Sequence, residues 1–206
     1  AGVEIFVTAS VGVATGDDVD GVFRRADLAM YRAKANGKAQ SVVYDRSLDD
    51  AVGERLALLG ELRRARVEEE FVLHYQPVVD LQTGAVVGAE ALLRWAHPTR
   101  GIVAPNDFVP IAEESGLIVP LGCWVLQEAC NQLAAWRASE PAARALHMSV
   151  NVSARQLQAT AFVDEVRAAL ATAGLEPQAL VLEITDAAVV HDPASAAEML
   201  AALRSM

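Results

Sequence analysis

Cysteine is scarce in this sequence, with only two among 206 residues, Cys123 and Cys130. Seven positions apart on one predicted helix, they lie two turns from each other, which is too far for a disulfide bond. Their spacing also differs from the CxxC pattern of metal and redox sites. Two unpaired thiols are typical of a reducing compartment, so we expect a cytoplasmic protein. Long hydrophobic runs are missing too, because the longest, residues 117–126, has half the length of a bilayer span.

Basic residues are outnumbered, with 17 Lys and Arg against 27 Asp and Glu, which gives a net charge of −10. Residues 1–46 carry six of each sign, so residues 47–206 carry the whole excess. This balance disfavours duplex nucleic acid as a partner, because its binding is led by Lys and Arg contacts to phosphates. A small anionic ligand remains compatible, since its binding depends on local charge.

Strand and helix patterns alternate along the chain. We predict strands over 4–13, 41–44, 71–79, 85–95, 147–153 and 180–184, a proline-containing loop over 98–110, and helices that begin near residues 19, 47, 120, 161 and 193. The alternation predicts an α/β fold with β/α units and a mostly parallel sheet. A complete barrel needs about 250 residues, so any barrel here is partial. The sequence opens without Met and with a strand pattern, and we interpret both ends as cuts in a longer protein.

Polar residues interrupt three of the apolar strands: Glu90, Asn151 and Glu183. A carboxylate buried in such a strand needs a partner, because burying it bare costs many kcal/mol. If the strands line one barrel, the three side chains converge near its carboxyl-end rim, where barrel enzymes hold their active sites. Carboxylate and amide oxygens suit Mg²⁺, Mn²⁺ or Ca²⁺. Arg94 shares the strand face of Glu90, about 13 Å away, and offers a fork suited to phosphate.

Each of these residues alone has a simpler interpretation. A strand glutamate often pairs with arginine or lies on an exposed edge, and Asn151 could bind backbone groups at a strand end. The pattern by itself therefore predicts a metal site with oxygen ligands near a phosphate-binding group, and it indicates no particular substrate. A barrel phosphohydrolase of some other specificity remains open at this point.

Five motifs together resemble the bacterial EAL domain, a family that hydrolyses cyclic di-GMP to linear pGpG with Mg²⁺ or Mn²⁺. They are, in the family's order, YQPVVD (75–80), EALLRW (90–95), FVPIAEESGLI (108–118), NVSARQL (151–157) and LEITD (182–186). The resemblance covers about residues 62–206 and implies a TIM-like barrel. It also implies that Glu90, Asn151 and Glu183 are metal ligands, that Arg94 contacts a ligand phosphate, and that Gln76 lies on the ligand-binding face.

The rest of the family's site has no counterpart in these residues. Asp186 stands where the family commonly has Glu, and the family's Asp pair and general-base Lys are expected beyond Met206. We therefore expect that the 206-residue chain alone does not turn over cyclic di-GMP, whereas the intact parent, as a homodimer, does. The open edges of a half barrel also predict that the isolated chain associates. The alternative is a non-catalytic cyclic di-GMP receptor or interaction module with a degenerate EAL domain, which could lose metal ligands and keep Arg94 and Gln76.

A second resemblance concerns residues 3–45. SVGVA (10–14) and ADLAMYRAKANGK (26–38) resemble the carboxyl end of a GGDEF domain, the family that makes cyclic di-GMP. The resemblance implies that Lys34 and Lys38 contact nucleotide phosphates, although cations near a helix carboxyl end also stabilise the helix dipole without any ligand. We predict a GGDEF-like fragment over 1–46, a linker helix over 47–67 and the amino-terminal half of an EAL-like domain over 68–206. The GGDEF motif itself would precede Ala1, so cyclase activity is not expected from this chain.

Overall fold

The chain folds into two structural units, residues 1–60 and 61–206. The computed structural model describes residues 7–35, 37, 39–65, 67–184 and 193–206. The strand predicted over 4–13 begins outside these residues. Of its described part, residues 7–13, only Val11–Val13 forms a strand. Among the described helices, none combines the length and the apolar character that crossing a membrane requires.

The first unit contains a parallel strand pair joined by a helix. Strand β1 (Val11–Val13) pairs with β2 (Ser41–Val43), and helix α1 (Val19–Ala35) connects them. Gly12 allows the helix to approach the strand closely, because a Cβ there would lie 1.9 Å from the carbonyl oxygen of Ala26. Gly37, two residues after the end of α1, has a φ of 104°, a backbone conformation that glycine adopts readily.

Helix α2 (Ser47–Arg64) covers most of the range predicted for a linker, although that role stays a prediction. Its amino end is capped by Asp45, whose carboxylate accepts hydrogen bonds from the hydroxyl and the backbone N–H of Ser47. These hydrogen bonds lower the pKa of the Asp45 carboxyl, and the bond from the Ser47 hydroxyl has the larger effect. A four-residue turn, α3 (Val67–Glu70), precedes the second unit's sheet.

The sheet of the second unit has five strands. They are β3 (Phe71–Val79), β4 (Val86–His97), β5 (Gly101–Val103), β6 (His147–Val152) and β7 (Leu180–Ile184). Strands β4, β6 and β7 are parallel neighbours in that order, whereas β3 and β5 both run antiparallel to β4. The prediction of a mostly parallel sheet therefore holds only for β4, β6 and β7. For β3 the turn before β4 is the reason, because Asp80 accepts hydrogen bonds from the N–H groups of Gln82 and Thr83 and closes a hairpin.

The helices of this unit are α4 (Pro105–Ser115), α5 (Ile118–Ser139), α6 (Ala154–Leu157), α7 (Phe162–Ala173) and α8 (Pro193–Arg204). Helix α4 lies where the sequence predicts a loop, so that prediction was wrong. Pro105 occupies the first turn, where no intrahelical N–H bond is lost, and Pro110 removes only one bond. Buried Phe108 and Ile111 hold the helix against the protein, and Gly116 ends it with a φ of 82°.

The core lies between one face of the sheet and the long helices. Ala89 and Ala91 of β4, with Met148, Val150 and Val152 of β6, are all buried. Ala89 and Ala91 flank the half-buried Glu90, and Val150 and Val152 flank the exposed Asn151, as the two-residue period of a strand predicts, whereas Ser149 is buried like its neighbours. The helices contribute Leu126, Cys130, Leu133, Phe162 and Leu170 to the same cluster. Both cysteines are free and lie on α5, as predicted.

Aromatic side chains close the end of the unit where β3 begins. Trp95 is fully buried; its ring stacks on Phe71 with centroids 5.6 Å apart and meets Phe108 edge-on at 5.7 Å. Its indole N–H donates to a carboxylate oxygen of Glu70 at 3.1 Å. The polar end of this large side chain is thus satisfied while its ring is removed from water.

One arginine ties three elements together. Arg137, in the last turn of α5, donates from Nε and one terminal nitrogen to the carbonyl oxygen of Leu146, at 3.1 and 2.6 Å. Its other terminal nitrogen donates to the carboxylate of Glu176 at 2.6 Å, and this bond lowers the pKa of the Glu176 carboxyl. Because Leu146 precedes β6 and Glu176 precedes β7, the end of α5 is bound to the starts of both strands.

Candidate functional site

The candidate residues share the sheet face opposite the helical core, which we call the open face. Gln76 of β3 stands directly opposite Glu90 of β4, and Asn151 of β6 is the register partner of Glu183 on β7. Register partners on neighbouring strands point to the same face of a sheet. Asn151 and Glu183 are each the next-to-last residue of their strands, so both lie at the carboxyl end. Gln76, Asn151 and Glu183 are exposed, and Glu90 is half-buried.

Glu90 and Asn151 are in direct contact across the sheet. The side-chain amide nitrogen Nδ2 of Asn151 donates to Oε1 of Glu90 at 2.7 Å. Glu90 therefore pairs with an asparagine rather than an arginine, and it lies on an internal strand between β3 and β6 rather than on an edge. Asn151 likewise binds a side chain. Each residue therefore has a partner other than the one named in its simpler interpretation, and their role as metal ligands stays a prediction.

Arg94 lies on the same strand and face as Glu90, four residues further on. It is half-buried, and its guanidinium donates to the carbonyl oxygen of Leu93 at 2.8 Å. A guanidinium carries five N–H donors, so this bond leaves others for a ligand. The open face thus combines a carboxylate–amide pair with a cation about 13 Å further along the same strand.

A pocket of about 690 Å³ opens beside Asn151. The middle of β4, the end of β6 with α6, and the helices α4 and α5 form its walls, and most of the lining is apolar. Its polar lining includes Asn106, Glu113, Asn151 and Ser153. Burial raises the pKa of the Glu113 carboxyl, and the charge of Arg155 opposes that shift. The pocket is large enough to hold an aromatic base.

Sequence reasoning missed several residues of this pocket. Asn106 was assigned to a loop, whereas Glu113, Ser153 and Gln156 stood inside quoted motifs without any role. The available signal was the motif at 108–118 itself, which follows the strand that carries Glu90 with only the three-residue β5 between them. Because the segment was not predicted as a helix, its wall of the pocket could not be foreseen.

The donor set on the open face consists of two carboxylates and an amide. Among the residues the structure describes, no group of three His, Cys, Asp or Glu side chains is placed to hold a metal ion. Glu90, Glu183 and Asn151 offer only oxygen donors for such an ion, and neighbouring strands lie about 4.8 Å apart. Oxygen donors at that spacing fit a hard divalent cation better than zinc.

The remaining predicted residues are elsewhere. Lys34 is exposed in the last turn of α1. Lys38 and Asp186 lie outside the described residues.

The EAL domain family matches this chain over residues 59–206. The chain therefore belongs to the EAL domain family, and the resemblance stated from its motifs is confirmed. Over 207 residues it is 39% identical to the bifunctional diguanylate cyclase/cyclic di-GMP phosphodiesterase MucR of Pseudomonas aeruginosa, covering 98% of this chain and 30% of that protein. Over 194 residues it is 37% identical to the cyclic di-GMP phosphodiesterase PdeR of Escherichia coli, covering 92% of this chain and 29% of that protein.

A solved structure agrees with the fold. The PaMucR phosphodiesterase in its c-di-GMP complex superposes with a TM-score of 0.68 at 42% sequence identity, covering 72% of this chain and 60% of that one. The mixed α/β fold of an EAL domain is thereby confirmed. The chain spans less than a third of the length of these two curated relatives.

Proposed function

We propose that this chain supplies part of the site of a metal-dependent phosphodiesterase that hydrolyses cyclic di-GMP to linear pGpG. The contact between Glu90 and Asn151 on the open face carries the proposal, because it joins residues from two strands into one polar group, on a face that also carries Arg94 and next to a pocket that Asn151 lines. Two relatives named as cyclic di-GMP phosphodiesterases, at 39% and 37% identity, support it.

Glu90, Asn151 and Glu183 would hold Mg²⁺ or Mn²⁺. The chemistry that such a cation supplies is polarisation of a phosphodiester oxygen and a lowered pKa of a water molecule. In the protein, the hydrogen bond from Nδ2 of Asn151 to Glu90 fixes the amide and keeps its carbonyl oxygen available. Asn151 and Glu183 are register partners, so this oxygen and the carboxylate of Glu183 are on the same face.

The remaining residues would bind the dinucleotide. Arg94 would donate two parallel hydrogen bonds to phosphate oxygens and offset their negative charge. This matters because the chain as a whole has a net charge of −10 and repels an anionic ligand. Gln76, opposite Glu90, would hydrogen-bond the ligand at the same level of the sheet. The pocket would take a guanine base, whose N–H donors suit the carboxylate of Glu113 and the amide oxygen of Asn106.

We further propose the domain arrangement predicted above, with a GGDEF-like fragment over 1–46 and a linker helix over 47–67 before the EAL residues. The bifunctional name of MucR supports this proposal, because its match covers 98% of this chain and so extends before residue 59. Lys34 and Lys38 would contact nucleotide phosphates there. A cytoplasmic location and a homodimeric parent belong to the same proposal and depend on the family likeness.

The test measures linear pGpG by chromatography after the protein that carries this chain is incubated with cyclic di-GMP and Mg²⁺ or Mn²⁺. Glu90→Gln and Asn151→Ala should each lower the rate about 100-fold or more. Gln158→Ala, an exposed change next to the same motif, should leave it unaltered. Undiminished hydrolysis by Glu90→Gln contradicts the proposed site. Tight binding of cyclic di-GMP without any hydrolysis instead supports a receptor.

A further inference from the structure

The turn that follows Asn151 is held by a reciprocal pair of hydrogen bonds. Strand β6 ends at Val152, and Ser153 caps α6. The hydroxyl of Ser153 accepts from the backbone N–H of Gln156 at 3.3 Å, while Oε1 of Gln156 accepts from the backbone N–H and the hydroxyl of Ser153 at 3.1 and 2.9 Å. This capping box fixes the backbone two residues after Asn151.

Gln156 is unusual because its polar side chain is only 2% exposed. Its amide lies flat against Gly122 in the first turns of α5. A Cβ on Gly122 would lie 2.1 Å from Nε2, 2.4 Å from Cδ and 2.7 Å from Oε1 of Gln156. An alanine at this position would therefore force the Gln156 amide to shift, whereas glycine leaves room for the amide at the helix surface.

The adjacent side chain fastens the same turn to another helix. Arg155 donates from a terminal nitrogen to the carbonyl oxygen of Glu114 at 3.1 Å. Glu114 lies in the last turn of α4, where carbonyl groups have no partner within the helix and favour a cation. Arg155 and Gln156 thus anchor α6 to α4 and to α5, and both of those helices line the pocket.

We propose that Gln156 is a positioning residue for Asn151. By holding Ser153 from its buried place against Gly122, it fixes the end of β6 and with it the amide that donates to Glu90 at 2.7 Å. The inference depends on the proposed function only where it concerns the metal, since the geometry of the pair can be measured without any ion. Loss of a group that orients a metal ligand weakens metal affinity about 10- to 100-fold.

The test compares Gln156→Ala with a matched control, Gln158→Ala, which changes an exposed glutamine two positions away. Two quantities are measured on each folded protein. The first is the NMR shift of the Asn151 side-chain amide, assigned by its loss in Asn151→Ala. The second is the affinity for Mn²⁺ by electron paramagnetic resonance. In Gln156→Ala the amide should move to the position of a free amide, and Mn²⁺ should bind about tenfold more weakly. The control should match the wild type.

Two further variants keep the inference decidable. If Gln156→Ala does not fold, Ser153→Ala is the second variant, because it removes both hydroxyl bonds and leaves only the bond from the backbone N–H to Gln156, so it should change both readouts in the same direction. Ser153→Thr keeps the hydroxyl and should match the wild type. A merely structural role of Gln156 would lower thermal stability but leave the amide shift and the Mn²⁺ affinity of the folded protein unchanged, and that result overturns the inference. If the wild type binds no Mn²⁺ but the amide shift moves in Gln156→Ala, the proposed function fails and the positioning role stands.

Discussion

Replacing Asn151 with aspartate places a second carboxylate against Glu90. The hydrogen bond at 2.7 Å is lost, which removes about 1 kcal/mol. Two carboxylates about 4 Å apart repel each other by about 1 kcal/mol in a water-like medium and more where solvent is excluded. Because Asn151 is exposed, the lower figure applies. Together these effects should destabilise Asn151→Asp by about 2 kcal/mol at pH 7.

The sign of the pH dependence follows from the repulsion. The folded variant holds a proton on its carboxylate pair to a higher pH than the unfolded chain does, so the deficit is present at pH 7 and disappears as the pH falls toward about 4. Mg²⁺ should also restore more stability to the variant than to the wild type, because it neutralises the added charge.

Urea unfolding followed by tryptophan fluorescence measures this directly, since all three tryptophans lie within residues 61–206. Asn131→Asp is the matched control, because its side-chain oxygen already accepts a hydrogen bond from Gln127 on an exposed helix surface. A variant at Asn151 that is as stable as the wild type at pH 7, with the same response to Mg²⁺, would show that the two side chains do not meet.

Two substitutions and one labelling experiment test the packing. Gly88→Ala would place a Cβ within 2.8 Å of three atoms of the His147 ring and should cost about 1–3 kcal/mol, and a double-mutant cycle with His147→Ala should recover most of it. Additive effects in that cycle would show that the ring is elsewhere. Phe108→Ala empties a fully buried position and should cost about 3–5 kcal/mol in urea unfolding, so a loss below 1 kcal/mol would contradict its burial. Burial raises the pKa of the Cys130 thiol to about 11, so alkylation at pH 8 followed by mass spectrometry should label Cys123 and spare Cys130 until the protein unfolds.

The sequence was sufficient where structure follows from local geometry. The two-residue period of a strand places Glu90 and Arg94 on one face, and the register in the sheet agrees. The antiparallel start of the sheet could also have been predicted. Only six residues separate β3 from β4, whereas a parallel crossover needs a dozen or more.

Other features depend on contacts between distant residues. The hydrogen bond between Glu90 and Asn151 joins positions 61 apart, and their meeting depends on strand order and stagger. Helix α4 contains two prolines, which argue locally against a helix, and it forms because tertiary burial of Phe108 and Ile111 outweighs that preference. The roles of Gln76, Arg94, Glu90, Asn151 and Glu183 in binding stay predictions until ligand experiments are made.

The bonds of Arg137 also govern how a protease would cut the chain. Trypsin must draw an arginine side chain into its own specificity pocket, and Arg137 is already engaged by the carbonyl oxygen of Leu146 and by Glu176. Arg144 lies in the short segment between α5 and β6 and is exposed, so a protease can reach it more easily. A first cleavage after Arg144 would give two fragments that stay joined by the hydrogen bonds of Arg137 to Leu146 and Glu176. The cleaved protein should therefore elute as a single species in size-exclusion chromatography until denaturant separates the fragments.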